Sequence, residues 1–239
     1  MRILEGAKVC KSFGGLAAVS NVDFHLEKGE ILGLIGPNGS GKTTLFNLIS
    51  GALVTKSGKV SFKERCLTGL SPFKICRAGV ARTFQSVKIF GDMTVIEHVL
   101  LALQFGGASR VKAQDVNREA RGVLDFVGLA GTENILARNL TLSKQKRLEV
   151  ARALATRPEV LMLDEVMAGL NPTEVSEAMN LVKKIRDSGV TVVMIEHVMK
   201  AIMGICDRIM VLNYGQVIAE GTPQEIAKNK NVIAVYLGE

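Results

Sequence analysis

The sequence predicts an α/β fold in which buried strands alternate with amphipathic helices. Three apolar runs, at positions 31–35, 160–164 and 190–195, have the length and composition of strands buried on both faces. Segments with helical spacing of apolar residues follow the first two runs. No run reaches the ~18 uncharged apolar residues that a membrane-spanning helix requires. Such an alternation is typical of a parallel sheet covered by helices.

The first part of the chain is predicted to form three strands and a helix. Residues 8–10 and 22–26 are candidates for early strands, and residues 31–35 are bounded by glycines, as expected of a buried parallel strand. A helix is predicted from about Lys42. Its apolar face has the spacing i, i+3, i+4, i+7 and consists of Leu45, Leu48, Ile49 and Ala52.

The second half of the chain begins with a strand at residues 160–164, followed by a capped helix. Asn171 is placed to cap the free amides of this helix, with Pro172 at its first position. Glu174 can complete a capping box, and Gly189 is predicted to end the helix. Its apolar face consists of Val175, Ala178, Val182 and Ile185.

The C-terminal part is predicted to complete the sheet. Residues 190–195 form another buried strand, and residues 213–215 are a turn between strands at 208–212 and 216–219. Thr222 begins a last short helix with the same capping pattern.

Residues 85–155 differ from the rest because they carry few strand signals and several amphipathic helical segments. We therefore predict an inserted α-helical subdomain there. Residues 1–84 and 156–239 would form the core around it, so that residues 1–239 make one domain.

Composition limits the class of protein. The 239 residues include 30 Lys and Arg against 23 Asp and Glu, and the net charge of +7 suits an anionic partner such as a phosphate ligand, a nucleic acid or a lipid headgroup. The four cysteines have no metal-ligand spacing, which favours scattered thiols in a reducing compartment. The N-terminus lacks the apolar stretch of a signal peptide. Any membrane role is therefore expected to involve another chain.

Residues 36–43 match the phosphate-binding pattern G-x-x-x-x-G-K-[ST] at every fixed position. Glycines let main-chain amides surround a phosphate, and the following helix N-terminus adds favourable partial charge. Lys42 is predicted to reach the β- and γ-phosphates and Thr43 to coordinate Mg²⁺. The predicted nucleotide-binding residues of this loop are Gly36, Pro37, Asn38, Gly39, Ser40, Gly41, Lys42, Thr43 and Thr44.

Two adjacent carboxylates follow the strand at 160–164. Asp164 ends four apolar residues and is predicted to contact Mg²⁺ or its waters. Glu165 can turn toward the nucleotide at the strand end, where it would act as a general base for water.

The order of these motifs resembles that of ATP-binding-cassette (ABC) ATPases across essentially the whole chain. By this resemblance, Phe13 is the aromatic that stacks on adenine, and Gln85 is the Q-loop glutamine. Residues 168–171 fit the D-loop, and His197 follows a buried strand as the switch histidine does. The implied fold is a P-loop NTPase (RecA-like) core with an antiparallel β subdomain and an inserted α-helical subdomain.

The resemblance also implies the roles of the site residues and the cofactors, ATP and Mg²⁺. The implied catalytic residues are Glu165, His197, Gln85 and Lys42. The implied metal-binding residues are Thr43, Gln85 and Asp164.

A closer resemblance links the chain to ATP-binding subunits of branched-chain amino acid importers. Five segments carry it, at residues 13–19, 79–85, 147–154, 168–172 and 235–239. It implies an importer ATPase at the cytoplasmic face of the membrane. The implied partners are a second ATP-binding subunit, identical or different, transmembrane permease subunits and, indirectly, a substrate-binding protein.

The signature motif of the resembled family, L-S-G-G-Q, is altered here. An ungapped alignment places it at residues 140–144, where Thr141 keeps a hydroxyl. Leu142 and Ser143 replace the two glycines, and Lys144 brings a positive charge. An alignment with a one-residue gap, over residues 142–145, also lacks both glycines. We expect a competent phosphate loop on this chain and a weakened contribution to the partner's site.

A second departure is Val166, where the family usually has Pro. Valine frees an amide and relaxes φ, so Glu165 is expected to be held less firmly.

Two other functions remain open from the sequence. One is a cassette that binds ATP with little hydrolysis, as a regulatory or degenerate subunit. The other is a soluble ATP switch acting on nucleic acid. The dispersed basic residues and the short interval between Lys42 and Asp164, which leaves no room for coiled-coil arms, oppose the switch, so no nucleic-acid partner is expected.

A hydrophobic groove near Gln85 and the helical subdomain is predicted to receive a short helix of the membrane chain. Its candidate wall consists of Val95, Val99, Leu100 and Leu103, with a buried helix core as the alternative interpretation.

Overall fold

The computed structural model describes residues 1–106, 112 and 114–237, which form two β-sheets with helices around the larger one. The strands are β1 (Arg2–Phe13), β2 (Leu16–Glu27), β3 (Ile31–Ile35), β4 (Ser57–Phe62), β5 (Arg65–Cys66), β6 (Val80–Arg82), β7 (Val160–Asp164), β8 (Thr191–Ile195), β9 (Arg208–Asn213) and β10 (Gln216–Gly221). The helices are α1 (Lys42–Ile49), α2 (Pro72–Ala78), α3 (Val95–Phe105), α4 (Val116–Phe126), α5 (Leu142–Ala155), α6 (Pro172–Asp187), α7 (Met199–Ile205), α8 (Pro223–Lys228) and α9 (Lys230–Leu237).

The larger sheet has the strand order β10-β9-β3-β8-β7-β6. Its pairs are parallel except for the edge pair β9–β10. Every residue of β3, β7 and β8 is buried, as the continuous apolar runs predicted. Because the strands are parallel, the segments after β3, β7 and β8 lie at one edge of the sheet, and the predicted site residues follow these strands.

The smaller sheet is antiparallel, with the order β2-β1-β4-β5. Strands β1 and β2 each contain 12 residues and pair along their length, so both exceed their predicted cores. The fold class is confirmed: an α/β core built on the larger sheet carries an antiparallel β subdomain and a helical part.

Helix capping follows the sequence closely. The Asn171 side chain accepts hydrogen bonds from the amides of Thr173 and Glu174, and Glu174 completes the capping box of α6. A second box joins Thr222 and Glu225 at α8. That helix is not the last one, because α9 follows directly, so this part of the prediction was wrong. Ala52 also lies beyond the end of α1 at Ile49, and so is not part of its apolar face.

Helices α3, α4 and α5 pack on one another and, through a continuous apolar cluster, on the larger sheet. Val95, Val99 and Leu103 are at most 4% exposed, and Leu100 is partly buried. These residues form the core of the helical part rather than a groove wall, so that candidate was wrong. Apolar residues at helical spacing usually form the face of a helix that packs on the core, and these four residues do so.

Parts of the sequence predictions lie outside the described residues. These are residues 107–111 and 113 of the predicted helical subdomain, and residues 238 and 239 of the C-terminal segment. In the described part of the chain, none of the helices combines the length and the apolar character needed to cross a bilayer.

Candidate functional site

The phosphate loop joins β3 to α1, and its glycines are required by close main-chain approaches. Gly36 has φ +149°, and a Cβ there would lie 2.1 Å from the carbonyl oxygen of Leu212 at the end of β9. Gly41 has φ +104°, and a Cβ there would lie 2.4 Å from the carbonyl oxygen of Ala18. Larger residues would displace the loop, so its shape depends on neighbours that are distant in sequence.

The Lys42 side chain folds over this loop. Its Nζ donates hydrogen bonds to the carbonyl oxygens of Gly36 (2.7 Å) and Pro37 (2.9 Å). Burial lowers the pKa of Lys42, while the nearby carboxylates of Glu165 and Asp164 oppose that shift. The ammonium is thus held among main-chain oxygens beside the loop that would surround a phosphate.

Asp164 lies at the end of β7 and is 1% exposed. Its Oδ2 accepts a hydrogen bond from Arg82 Nη2 at 2.6 Å, and its amide donates to Thr83 Oγ1 at 3.1 Å. Its Oδ1 is buried and has no partner among the described residues. A buried carboxylate oxygen without a partner is costly unless a ligand satisfies it.

These residues fit a Mg²⁺–nucleotide. Asp164 Oδ1 is an unsatisfied oxygen, and Thr43, the first residue after Lys42, is exposed with its hydroxyl available. Within the described residues, no three His, Cys, Asp or Glu side chains form a metal-binding group. The hydroxyl of Thr43 and the carboxylate of Asp164 suit a Mg²⁺ ion whose remaining ligands are phosphate oxygens and water.

Glu165 brings the two remaining predicted residues together. Its Oε2 accepts a hydrogen bond from Gln85 Nε2 at 2.9 Å, and its Oε1 lies 3.0 Å from His197 Nε2. Glu165 has φ +51°, a left-handed conformation that a side-chain-bearing residue adopts with strain. The carboxylate predicted to activate water is therefore held between the segments that follow β6 and β8.

Two buried residues that the sequence did not single out support this arrangement. Lys146 on α5 is 6% exposed, and its Nζ donates to the main-chain carbonyl oxygen of Glu165 at 2.9 Å. Glu196 is 2% exposed and accepts a hydrogen bond from the amide of Met167 at 2.7 Å. These bonds hold the main chain on both sides of Val166, where the sequence predicts a loosened restraint. A charged residue on a largely apolar helix face was the only available signal for Lys146.

Burial governs the ionisation of this buried pair. It raises the pKa of Glu196 to about 7, with the Met167 hydrogen bond and the Lys146 charge opposing the rise. Burial lowers the pKa of Lys146, and the carboxylate of Glu196 is the leading opposing influence.

The altered signature segment begins α5. The Thr141 side chain caps the helix by accepting a hydrogen bond from the amide of Lys144 at 3.5 Å. Leu142 is 44% exposed and lies beside the predicted D-loop, since a Cβ on Gly169 would be 3.3 Å from Leu142 Cδ2. Ser143 is buried and Lys144 is exposed. The helix start is retained, but two side chains occupy positions where the resembled family has none.

Phe13 ends β1 and is 49% exposed. Lys11 Nζ lies 5.5 Å from the centroid of its ring. The ring is exposed enough to contact a base, and its stacking on adenine stays a prediction.

The phosphate loop, the buried aspartate and the adjacent glutamate define a P-loop nucleotide-binding protein with an inserted helical part. The ABC transporter family matches residues 19–168, and the family of branched-chain amino acid ATP-binding cassette transporters matches residues 216–239. The chain belongs to the ABC transporter family, as one of its ATP-binding cassettes.

Curated relatives extend this result over nearly the whole chain. The high-affinity branched-chain amino acid transport ATP-binding protein LivG of Salmonella typhimurium is 45% identical, covering 95% of this chain and 94% of its own. The protein of the same name from Escherichia coli K12 is 44% identical with the same coverage. BraF of Pseudomonas aeruginosa, with the same description, is 41% identical over 99% of this chain and 98% of its own. The predicted resemblance is confirmed.

Solved structures agree with the fold. A nucleotide-free ATP-binding cassette from an ABC transporter aligns with TM-score 0.91 and 31% identity, covering all of both chains. A dimeric cassette in a post-hydrolysis state, bound to ADP and Pi, aligns with TM-score 0.83 and 25% identity over 92% of this chain and 99% of its own.

Proposed function

We propose that this chain is the ATP-hydrolysing subunit of an ABC importer for branched-chain or related amino acids, acting at the cytoplasmic face of the membrane. The observation that carries the proposal is the convergence of three features at one sheet edge. These are the glycine-dependent phosphate loop, the buried Asp164 with one free oxygen, and Glu165 held by Gln85 and His197. The solute is inferred from the relatives LivG and BraF, which are high-affinity branched-chain amino acid transport ATP-binding proteins.

Different residues of the site bind the phosphates and the metal ion of the nucleotide. Amides of the loop and the Lys42 ammonium bind the β- and γ-phosphates, while Thr43 and Asp164 hold the metal side of the nucleotide. Mg²⁺ supplies neutralisation of phosphate charge when it is bound with the nucleotide. Gln85 would connect metal binding with water activation, because its side chain bonds the Glu165 carboxylate.

Glu165 acts as general base for the attacking water. A new bond forms between the water oxygen and the γ-phosphorus, the bond to the bridging oxygen of ADP breaks, and the water proton moves to the Glu165 carboxylate. His197, 3.0 Å from Glu165, orients that carboxylate and lies where it can donate to a γ-phosphate oxygen.

The membrane partner would dock beside the Q-loop. A cavity of about 400 Å³ lies between β6, α3 and α5, with Pro72, Phe84, Ala102, Arg152 and Ala153 in its lining. Phe84 immediately precedes Gln85 and is 42% exposed. A mainly apolar cleft whose lining also includes the charged residues Arg82, Glu149 and Arg152 suits a short amphipathic helix of a permease subunit. A movement there would reach Glu165 through Gln85.

The second cassette would complete the site from its own signature motif. In a homodimer, the exposed Leu142 side chain would face both sites, whereas a different partner with an intact signature would complete the site of this chain. We therefore propose an asymmetric pair. An ATPase that barely turns over remains the second candidate, because the altered signature segment specifically favours it.

The test is ATPase activity and solute uptake in proteoliposomes that contain the membrane subunits and both cassettes. We expect uptake of leucine, isoleucine or valine that requires ATP and is lost with Glu165→Gln. Nucleotide binding without hydrolysis in the full assembly would support the regulatory alternative. Tight RNA or DNA binding with steep salt dependence would instead support a nucleic-acid switch.

A further inference from the structure

The Arg82 guanidinium occupies a buried position between the phosphate-loop helix and Asp164. Its side chain is 8% exposed. Nη2 donates to Asp164 Oδ2 at 2.6 Å, and Nη1 donates to Asn47 Oδ1 at 2.6 Å and to Ser50 Oγ at 3.1 Å. A single planar group thus joins the end of β6 to α1 and to the end of β7.

Aromatic rings fix the orientation of this group. Arg82 Cζ lies 5.6 Å from the ring centroid of Phe46 and 5.5 Å from that of Phe84. Cation–π contact with two rings and hydrogen bonds from both terminal nitrogens restrict rotation of the guanidinium. Lysine has a single ammonium and cannot reproduce this geometry.

The fixed guanidinium of Arg82 makes the two carboxylate oxygens of Asp164 unequal. Oδ2 is engaged by Arg82, while Oδ1 is buried and lacks a partner in the described part of the chain. A carboxylate held through one oxygen has its other oxygen fixed in direction, without the entropy loss of orienting it when a ligand binds.

We propose that Arg82 is a positioning residue for Asp164 and that it presents Oδ1 to the Mg²⁺ of the bound nucleotide. The inference rests on the proposed function, since it concerns the metal side of the same site. Arg82 lies three residues before Gln85, so the arginine also ties the Q-loop approach to the metal-facing carboxylate.

The experiment measures metal affinity rather than turnover. Mn²⁺ is titrated into the full-length protein saturated with ADP, and bound Mn²⁺ is followed by electron paramagnetic resonance. For Arg82→Lys we expect Mn²⁺ affinity to fall by about 10-fold or more, the usual range for loss of an outer-shell partner. ADP affinity measured in EDTA should stay within about 2-fold, because no contact of the phosphate loop is removed.

A milder variant protects the test against poor folding of Arg82→Lys. Asn47→Ala removes one acceptor of the guanidinium but leaves the Asp164 pair. We expect a smaller loss of Mn²⁺ affinity, roughly 2- to 5-fold, and less than additive losses in the double variant because both act through one group.

Arg208→Lys is the matched control. Arg208 is a largely buried arginine that bonds Glu30 and Glu220 at the start of β9, away from the carboxyl ends of the strands. It should leave Mn²⁺ affinity unchanged. Equal Mn²⁺ affinity in wild type, Arg82→Lys and Asn47→Ala would overturn the inference about Arg82. A wild-type protein that fails to bind ADP with or without metal would overturn the proposed function instead.

Discussion

The phosphate loop and the signature segment differ in what the chain has retained. The loop keeps every fixed residue, and Gly36 and Gly41 are sterically required by carbonyl oxygens of β2 and β9. The signature segment keeps its capped helix start at Thr141 but carries Leu142 and Ser143 in place of glycines. Contacts within the chain therefore explain the sequence of the loop, whereas under the proposed function the signature segment would act on a second cassette, which is another molecule.

The largest expected effect lies on the loop side of this comparison. Lys42→Ala should reduce the ATPase rate by about 100-fold or more, because the loss of a preorganised charge on the phosphates typically costs 10²- to 10³-fold. Lys144→Ala, which changes an exposed lysine of the signature segment, should have a much smaller effect. Steady-state phosphate release by the assembled transporter measures both. Similar losses of ATPase rate in the two variants would contradict the proposal that the phosphate loop is intact and the signature segment is weakened.

The buried Glu196 beside the Glu165–Met167 main chain predicts a pH effect on stability. The folded-state pKa of Glu196, about 7, lies above the ordinary value of 4.5, so this group stabilises the fold below about pH 4.5. The contribution is lost as pH rises through about 7. Glu196→Gln avoids this loss, and its stability relative to wild type should rise by up to ~3 kcal/mol between about pH 5 and about pH 8.

Urea unfolding at several pH values tests this prediction, with Glu64→Gln as the control because Glu64 is exposed. The same pH dependence in the control, or a flat difference for Glu196→Gln, would show that the buried carboxylate does not govern it.

Restoring glycines in the signature segment should raise the ATPase rate, whereas the change in the phosphate loop lowers it. In the isolated chain, where any dimer is a homodimer, Leu142→Gly with Ser143→Gly should raise ATP hydrolysis by roughly 10-fold, since the exposed Leu142 side chain no longer hinders approach to the phosphate and position 143 regains the main-chain freedom of glycine. Glycines at a helix start also cost stability, about 1 kcal/mol each. The rate is therefore measured at a temperature where circular dichroism shows both proteins to be folded. An unchanged or lower rate would indicate that the signature segment does not limit turnover.

The smallest expected effect belongs to Phe13. Phe13→Ala should raise the KM for ATP by about 3- to 5-fold with little change in kcat, because stacking on the base contributes equally to ground and transition states. Phe13→Tyr is the conservative control and should retain the wild-type KM. An unchanged KM in the alanine variant would show that Phe13 does not contact the base of ATP.

Local patterns were sufficient for several elements. The apolar run at residues 31–35 and the capping residues Asn171 and Thr222 were confirmed, since each depends on neighbours within a few residues. For the apolar stripe containing Val95 and Val99 the sequence left a groove wall and a buried helix core both open, because periodicity identifies an apolar face without naming what covers it; the structure confirms the buried core.

The sequence by itself determined the phosphate loop, the strand that ends in Asp164 and the position of His197 after a buried strand, and hence the class of chemistry. Tertiary structure alone decided that Arg82 pairs with Asp164, 82 positions away, and that Lys146 bonds the Glu165 carbonyl. The physical reason is that a motif is a local arrangement of main chain and side chains, readable from spacing. A buried ion pair depends on which strands and helices become neighbours, and that is settled only when the whole core packs.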